Sequence, residues 1–103
     1  MSTMDGALAL IDHDRLAELC RRHGISRLAL FGSAARGQLG LDSDIDLLVE
    51  FFPGRRVGLR FITVQDELQA LLGRKVDLNT RAFLSPHFRD RVEAEAVPLY
   101  EAA

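Results

Sequence analysis

The sequence predicts a small α/β (α+β) domain, a small mixed β-sheet flanked by helices. Three observations carry that reading. Apolar residues recur at spacings of three and four between Leu59 and Leu72, the mark of an amphipathic helix. Ile45 to Phe52 is a nearly unbroken apolar and aromatic run, the mark of a strand. Along the chain the elements read helix, strand, strand, helix, strand, helix. With 103 residues in all, one domain spanning residues 1–103 is expected, its first ten residues fraying.

The elements follow in order. Asp12 is suited to cap a first helix, with Leu16, Leu19 and Cys20 on its apolar face and Gly24 ending it. Arg27 to Phe31 reads as a short strand that stops at Gly32-Ser33. Ala34 to Leu41 holds Gly37 and Gly40 and reads as a helical turn followed by a loop. After Ile45 to Phe52, Pro53-Gly54 makes a turn and Arg55 to Gly58 a loop. The helix from Leu59 to Leu72 meets its stop at Gly73. Lys75 to Asn79 is a third strand, with Val76 and Leu78 on one face and Asp77 on the other. A last helix runs from about Ser85, its cap, through Pro86 to about Ala96. Val97 to Tyr100 adds a short extended segment.

Composition narrows the function. The formal net charge is −2, which gives no support to direct nucleic-acid binding. Lys75 is the only lysine, so the basic residues are nearly all arginine. Cys20 is the only cysteine and can form no intramolecular disulfide, in keeping with a reducing cytoplasm. No apolar run approaches the roughly 18–20 residues of a membrane span, and the N-terminus lacks the basic start of a secretory signal. The expectation is a soluble, cytoplasmic protein with no membrane partner.

The chemistry concentrates in three places. Gly32-Ser33 closes a strand where backbone N–H groups and a hydroxyl can meet a phosphate, and glycine permits close approach. Asp44 and Asp46 stand two apart at the start of a strand, so period-two geometry puts both carboxylates on one face. Such a pair is strained by mutual repulsion unless a cation lies between. Magnesium suits one or two carboxylates plus substrate phosphates. Asp42 reads only as part of the turn before the strand. Asp77 interrupts a second apolar strand. If that strand lies beside the one bearing Asp46, three carboxylates converge, enough to hold two metal ions about 3.5–4 Å apart.

The run Phe31-Gly32-Ser33-Ala34-Ala35-Arg36-Gly37, followed by Ser43-Asp44-Ile45-Asp46-Leu47-Leu48-Val49, resembles the signature of the polymerase β nucleotidyltransferase superfamily. More closely, it is similar to the minimal nucleotidyltransferases called MNT domains, from about Ala17 to Tyr100. Ala34 departs from the larger residue frequent after Gly-Ser, which bears on the shape of the nucleotide pocket. The resemblance implies a polymerase β-type nucleotidyltransferase fold and a site for ATP and two Mg2+ ions. In it Gly32 and Ser33 hold the triphosphate, and Arg36 meets a phosphate or braces the loop. Asp44 and Asp46 bind both metal ions. Asp77 shares the catalytic metal and helps deprotonate the attacking hydroxyl.

The resemblance also implies a partner. MNT domains are typically the antitoxin half of a pair with HEPN-domain proteins, and this chain has no room for an acceptor-binding domain of its own. The leading expectation is transfer of AMP from ATP to a hydroxyl, a tyrosine, of a HEPN ribonuclease toxin in a hetero-oligomer, with a homodimer left open. The alternative is a non-catalytic antitoxin that neutralises its partner by occlusion. Transfer to a small molecule and nucleic-acid polymerisation rank below both. Elsewhere the blander reading is preferred. His13, His23 and His87 have no ligand spacing. Arg55, Arg56 and Arg60 form a solvated basic cluster, with contact to an acidic partner the sharper option. Phe31, Phe51, Phe52 and Phe61 are assigned to the core, with a nucleotide or partner surface the sharper option for some of them, and Tyr100 to terminal packing.

Overall fold

A computed structural model describes residues 11–35, 44–54 and 57–102. The expected fraying of residues 1–10, the loop with Arg36, Gly37 and Gly40, and the pair Arg55-Arg56 lie outside the described residues.

Helix α1 (His13–His23) starts where Asp12 Oδ1 accepts from the backbone N–H groups of Asp14 and Arg15, each at 3.1 Å. It stops at Gly24, whose φ of 68° closes the last turn. Strand β1 (Ile25–Leu30), the single turn α2 (Gly32–Ala35) and strand β2 (Ile45–Phe51) follow. Then come α3 (Arg60–Leu72), ended by Gly73 as expected, β3 (Val76–Asn79), a 3-10 turn (Arg81–Phe83), α4 (Pro86–Glu95) and β4 (Val97–Glu101). Ser85 caps α4 by accepting from His87 N–H at 3.3 Å.

β2, α3 and β3 each differ from expectation by one residue at one end, and three other boundaries differ for local reasons. β1 begins at Ile25, two residues before Arg27, because Phe52 N–H donates to Gly24 O at 2.9 Å and extends the ladder. Phe31 leaves the strand because Gly32, at φ 65°, turns the chain there. The segment from Val97 is a full strand, antiparallel to β1, reaching to Glu101. The 3-10 turn had no signal in the apolar periodicity.

The sheet order is β3-β2-β1-β4. β2 and β4 flank β1 antiparallel, and β3 runs parallel to β2. A parallel neighbour requires a crossover, which α3 supplies. The register sorts residues to two faces. Leu28 lies beside Val49, Leu30 beside Leu47, Ile45 beside Val76 and Leu47 beside Leu78. All are buried, and with Leu16, Leu19, Cys20, Val64 and Leu68 they form the core between the sheet and the α1–α3 layer. The Cys20 thiol is pushed up to about 12 by burial, which outweighs the lowering by Arg21, so it is an inert core residue.

The aromatic residues are a correction. Phe31, Phe51 and Phe61 are only half-buried and Phe52 is 44% exposed. Aliphatic side chains fill the centre instead, and Phe51 and Phe61 pack at its margin. α4 covers part of the other face without burying any of its own residues. It is tied down by Arg27, which donates to Glu50 and to Glu93, each at 3.1 Å. No helix among the described residues is long and apolar enough to cross a membrane.

Candidate active site

The parallel register sets Asp46 of β2 directly beside Asp77 of β3. Both carboxylates therefore rise from the face opposite the aliphatic core. The reason is alternation: Ile45, Leu47, Val76 and Leu78 take the core side, which leaves Asp46 and Asp77 on the other. Asp44 precedes β2 by one residue and is exposed. The convergence expected from the sequence is thus met most closely by Asp46 and Asp77. No three His, Cys, Asp or Glu residues among the described ones form a group that could hold a metal ion as placed. Asp44 instead acts on Asp46 through its charge.

Asp46 is the electrostatic centre of the arrangement. Burial raises its carboxyl above the ordinary carboxylate range. The charge of Asp77, a hydrogen bond with Asp77 and the charge of Asp44 push in the same direction. A half-buried acid with two like-charged neighbours is relieved either by a proton, which its bond to Asp77 would share, or by a bound cation. The donors are all hard carboxylate oxygens, which fits a divalent ion of the magnesium type.

The Gly-Ser turn lies on top of this acid. Phe31 N–H donates to Asp46 O at 3.0 Å, which fastens the end of β1 to β2. Gly32 follows with φ 65°, and a Cβ there would lie 2.6 Å from Asp46 Oδ2. Two independent demands therefore fall on one position: a left-handed backbone, and no side chain against the carboxylate. This close approach joins two motifs whose key residues, Gly32 and Asp46, are 14 positions apart in sequence (46 minus 32). The Ser33 side chain and the whole of Arg36 lie outside the described residues.

Some site features had no sequence signal. Asn79 follows Asp77 on the same face and lies beside Leu48, its amide donating to Asp77 O at 3.2 Å. His23, assigned no metal or base role from the sequence, is buried at the end of α1 and pairs with Glu67 of α3, which also accepts from Arg22 at 2.9 Å. That cluster is on the core side of the sheet, behind the acids.

Comparison with known proteins gives consistent matches. The model of the nucleotidyltransferase domain family matches residues 15–99. A candidate protein adenylyltransferase of Methanocaldococcus jannaschii is 37% identical over 83 residues, covering 81% of this chain and 88% of that protein. The protein adenylyltransferase MntA of Thermococcus cleftensis is 39% identical over 80 residues, covering 78% and 80%. A solved candidate minimal nucleotidyltransferase superposes with a TM-score of 0.72 at 42% identity, over 84% of this chain and 87% of that one. The fold is also shared, at a TM-score of 0.60 and 20% identity, with a chain in the complex of tri-AMPylated Shewanella oneidensis HEPN toxin and MNT antitoxin, over 87% of this chain and 70% of that one.

Proposed function

The chain belongs to the nucleotidyltransferase domain family, and we propose that it is a magnesium-dependent protein adenylyltransferase that moves AMP from ATP to a tyrosine hydroxyl of a HEPN ribonuclease toxin, and so acts as its antitoxin. The observation that carries the reading is the Asp46–Asp77 pair with Gly32 packed on Asp46. A carboxylate pair under a glycine turn is costly as structure and useful as chemistry. Relatives named as protein adenylyltransferases support the reaction class. The S. oneidensis complex supports the class of partner.

Each residue has a definite part. The backbone of Gly32 and Ser33 binds and orients the triphosphate, with Arg36 as a further phosphate contact. Asp46 and Asp77, with Asp44 brought in beside them, would hold the two magnesium ions, which would supply positive charge against the triphosphate and the departing pyrophosphate. Asp77 lies on the edge strand, where an acceptor hydroxyl can reach it, and receives that proton. A bond forms between the acceptor oxygen and the α-phosphorus. The bond from that phosphorus to the β-phosphate bridge oxygen breaks, and pyrophosphate leaves. Binding the acceptor on a separate protein suits a chain whose sheet and helices are used up in one core and one acid face.

The test is intact mass of a HEPN-domain protein of the same genome after incubation with this chain, ATP and magnesium. Wild type is expected to add one or more AMP units, and the Asp44→Asn/Asp46→Asn double variant none. A partner that is bound and inhibited with no mass gain refutes the transfer and leaves occlusion as the function.

A further inference from the structure

β3 is an edge strand of only four residues, and it carries Asp77. Such a strand has one neighbour and tends to fray. Its pairing with β2 leaves the backbone N–H groups of Val76 and Leu78 pointing away from the sheet. Both are taken up by α3. Val76 N–H donates to Gln69 Oε1 at 3.1 Å, and Leu78 N–H donates to Gln65 Oε1 at 3.4 Å. The two glutamines are spaced i, i+4, so they lie on one face of the helix, about 6 Å apart along its axis. Residues i and i+2 of a strand are about 6.6 Å apart. The helix turn and the strand repeat therefore match, and because α3 runs against β3 the later glutamine meets the earlier amide. The clamped amides flank Asp77 on either side.

We infer that Gln65 and Gln69 are positioning residues that hold β3 in register so that Asp77 faces Asp46. This rests on the catalytic reading of Asp77 given above. Neither glutamine lies on the acid face, and neither touches substrate. They act through the backbone: with both outward amides bonded, β3 keeps its twist and distance from β2, and the Asp77 side chain keeps its direction. Glutamine supplies an uncharged acceptor on a side chain long enough to pass beside the buried Val64 and Leu68 of the same helix. A further consequence is that the edge nearest the acids is closed to an added strand, so an acceptor must approach over the face.

The experiment compares three proteins: wild type, Gln65→Met/Gln69→Met, which keeps length but removes the acceptor oxygens, and Gln65→Glu/Gln69→Glu, which keeps them. Amide exchange at Val76 and Leu78 is followed by NMR, and AMP transfer to the HEPN-domain protein is assayed with ATP varied. The Met pair is expected to exchange at least about tenfold faster at both amides and to lose about 10–100-fold in kcat, with KM for ATP unchanged. The Glu pair is expected to recover both. Single Gln→Met variants serve if the double variant does not fold. Faster exchange with unchanged kcat, unchanged exchange, or failure of the Glu pair to recover either readout overturns the proposal. A wild type with protected amides and no AMP transfer refutes the enzymatic reading instead, and the amide result still reports on the clamp.

Discussion

The two faces of the same sheet are built from alternate residues of the same strands, yet they obey opposite rules. Toward α1 and α3, Leu28, Leu30, Ile45, Leu47, Val49, Val76 and Leu78 are buried with no polar group among them. On the other side, Asp46, Asp77, Asn79, Arg27 and Glu50 share the intervening positions with the buried Ala29 and Leu48, under a helix that buries nothing of its own. One face gains free energy by removing apolar surface from water. The other spends some of it by crowding carboxylates. A strand as short as β3 can serve stability with Val76 and Leu78 and chemistry with Asp77, because a period of two puts them on opposite faces.

The largest expected effect comes from treating the faces alike. Leu47→Ala removes a fully buried side chain and is expected to cost about 2–5 kcal/mol in denaturant unfolding. Its neighbour in sequence should behave oppositely. Asp46→Asn is expected to lower AMP transfer on the order of a hundredfold or more while raising the Tm in metal-free buffer. The sign follows from linkage. The folded carboxyl of Asp46 is raised above its unfolded value, so the folded state holds its proton more tightly and stability falls as pH rises through that window. The variant should lack this fall. A Tm of Asp46→Asn below wild type at neutral pH would mean that the acid face also holds the fold together.

Gly32 sharpens the contrast because it sits where the faces meet the turn. Gly32→Ala combines a left-handed backbone with a Cβ placed 2.6 Å from Asp46 Oδ2. A cost of about 1–2 kcal/mol is expected from the backbone alone, together with loss of measurable ATP binding by calorimetry. Full ATP binding by a folded Gly32→Ala protein would separate the glycine turn from the nucleotide site. On the core side, Asp12→Ala removes the carboxylate oxygen that accepts from two N–H groups at the start of α1 and is expected to cost about 1 kcal/mol without altering transfer.

The smallest effect belongs to the polar cluster behind the core. Burial works against the Glu67 charge, but hydrogen bonds from His23 and Arg22, and their charges, hold its carboxyl below the ordinary value of 4.5. Its contribution is therefore present above that value and is lost as pH falls through the depressed one. The Tm difference between wild type and Glu67→Gln should be present at neutral pH and shrink in acid. A difference that grows in acid would reverse the assignment.

Much of this was legible in the sequence by itself. A period of two determined that Asp77 would lie opposite Val76 and Leu78, and that Asp44 and Asp46 would share one face. Capping chemistry determined where α1, α3 and α4 begin or end, since Asp12, Gly24, Gly73 and Ser85 act within a few residues of themselves. The spacing of the Gly-Ser and Asp-x-Asp motifs determined the family. Only the tertiary structure decided which strand lies next to which, that Val97–Glu101 closes the sheet on β1, and that the aromatic residues sit at the margin of the core. It alone brought Gly32 against Asp46, His23 against Glu67, and the two α3 glutamines against the amides beside Asp77. The physical reason is range. Periodicity, caps and turns depend on neighbours in the chain, whereas these contacts join residues whose approach is fixed by strand register and helix packing, which no local stretch of sequence encodes.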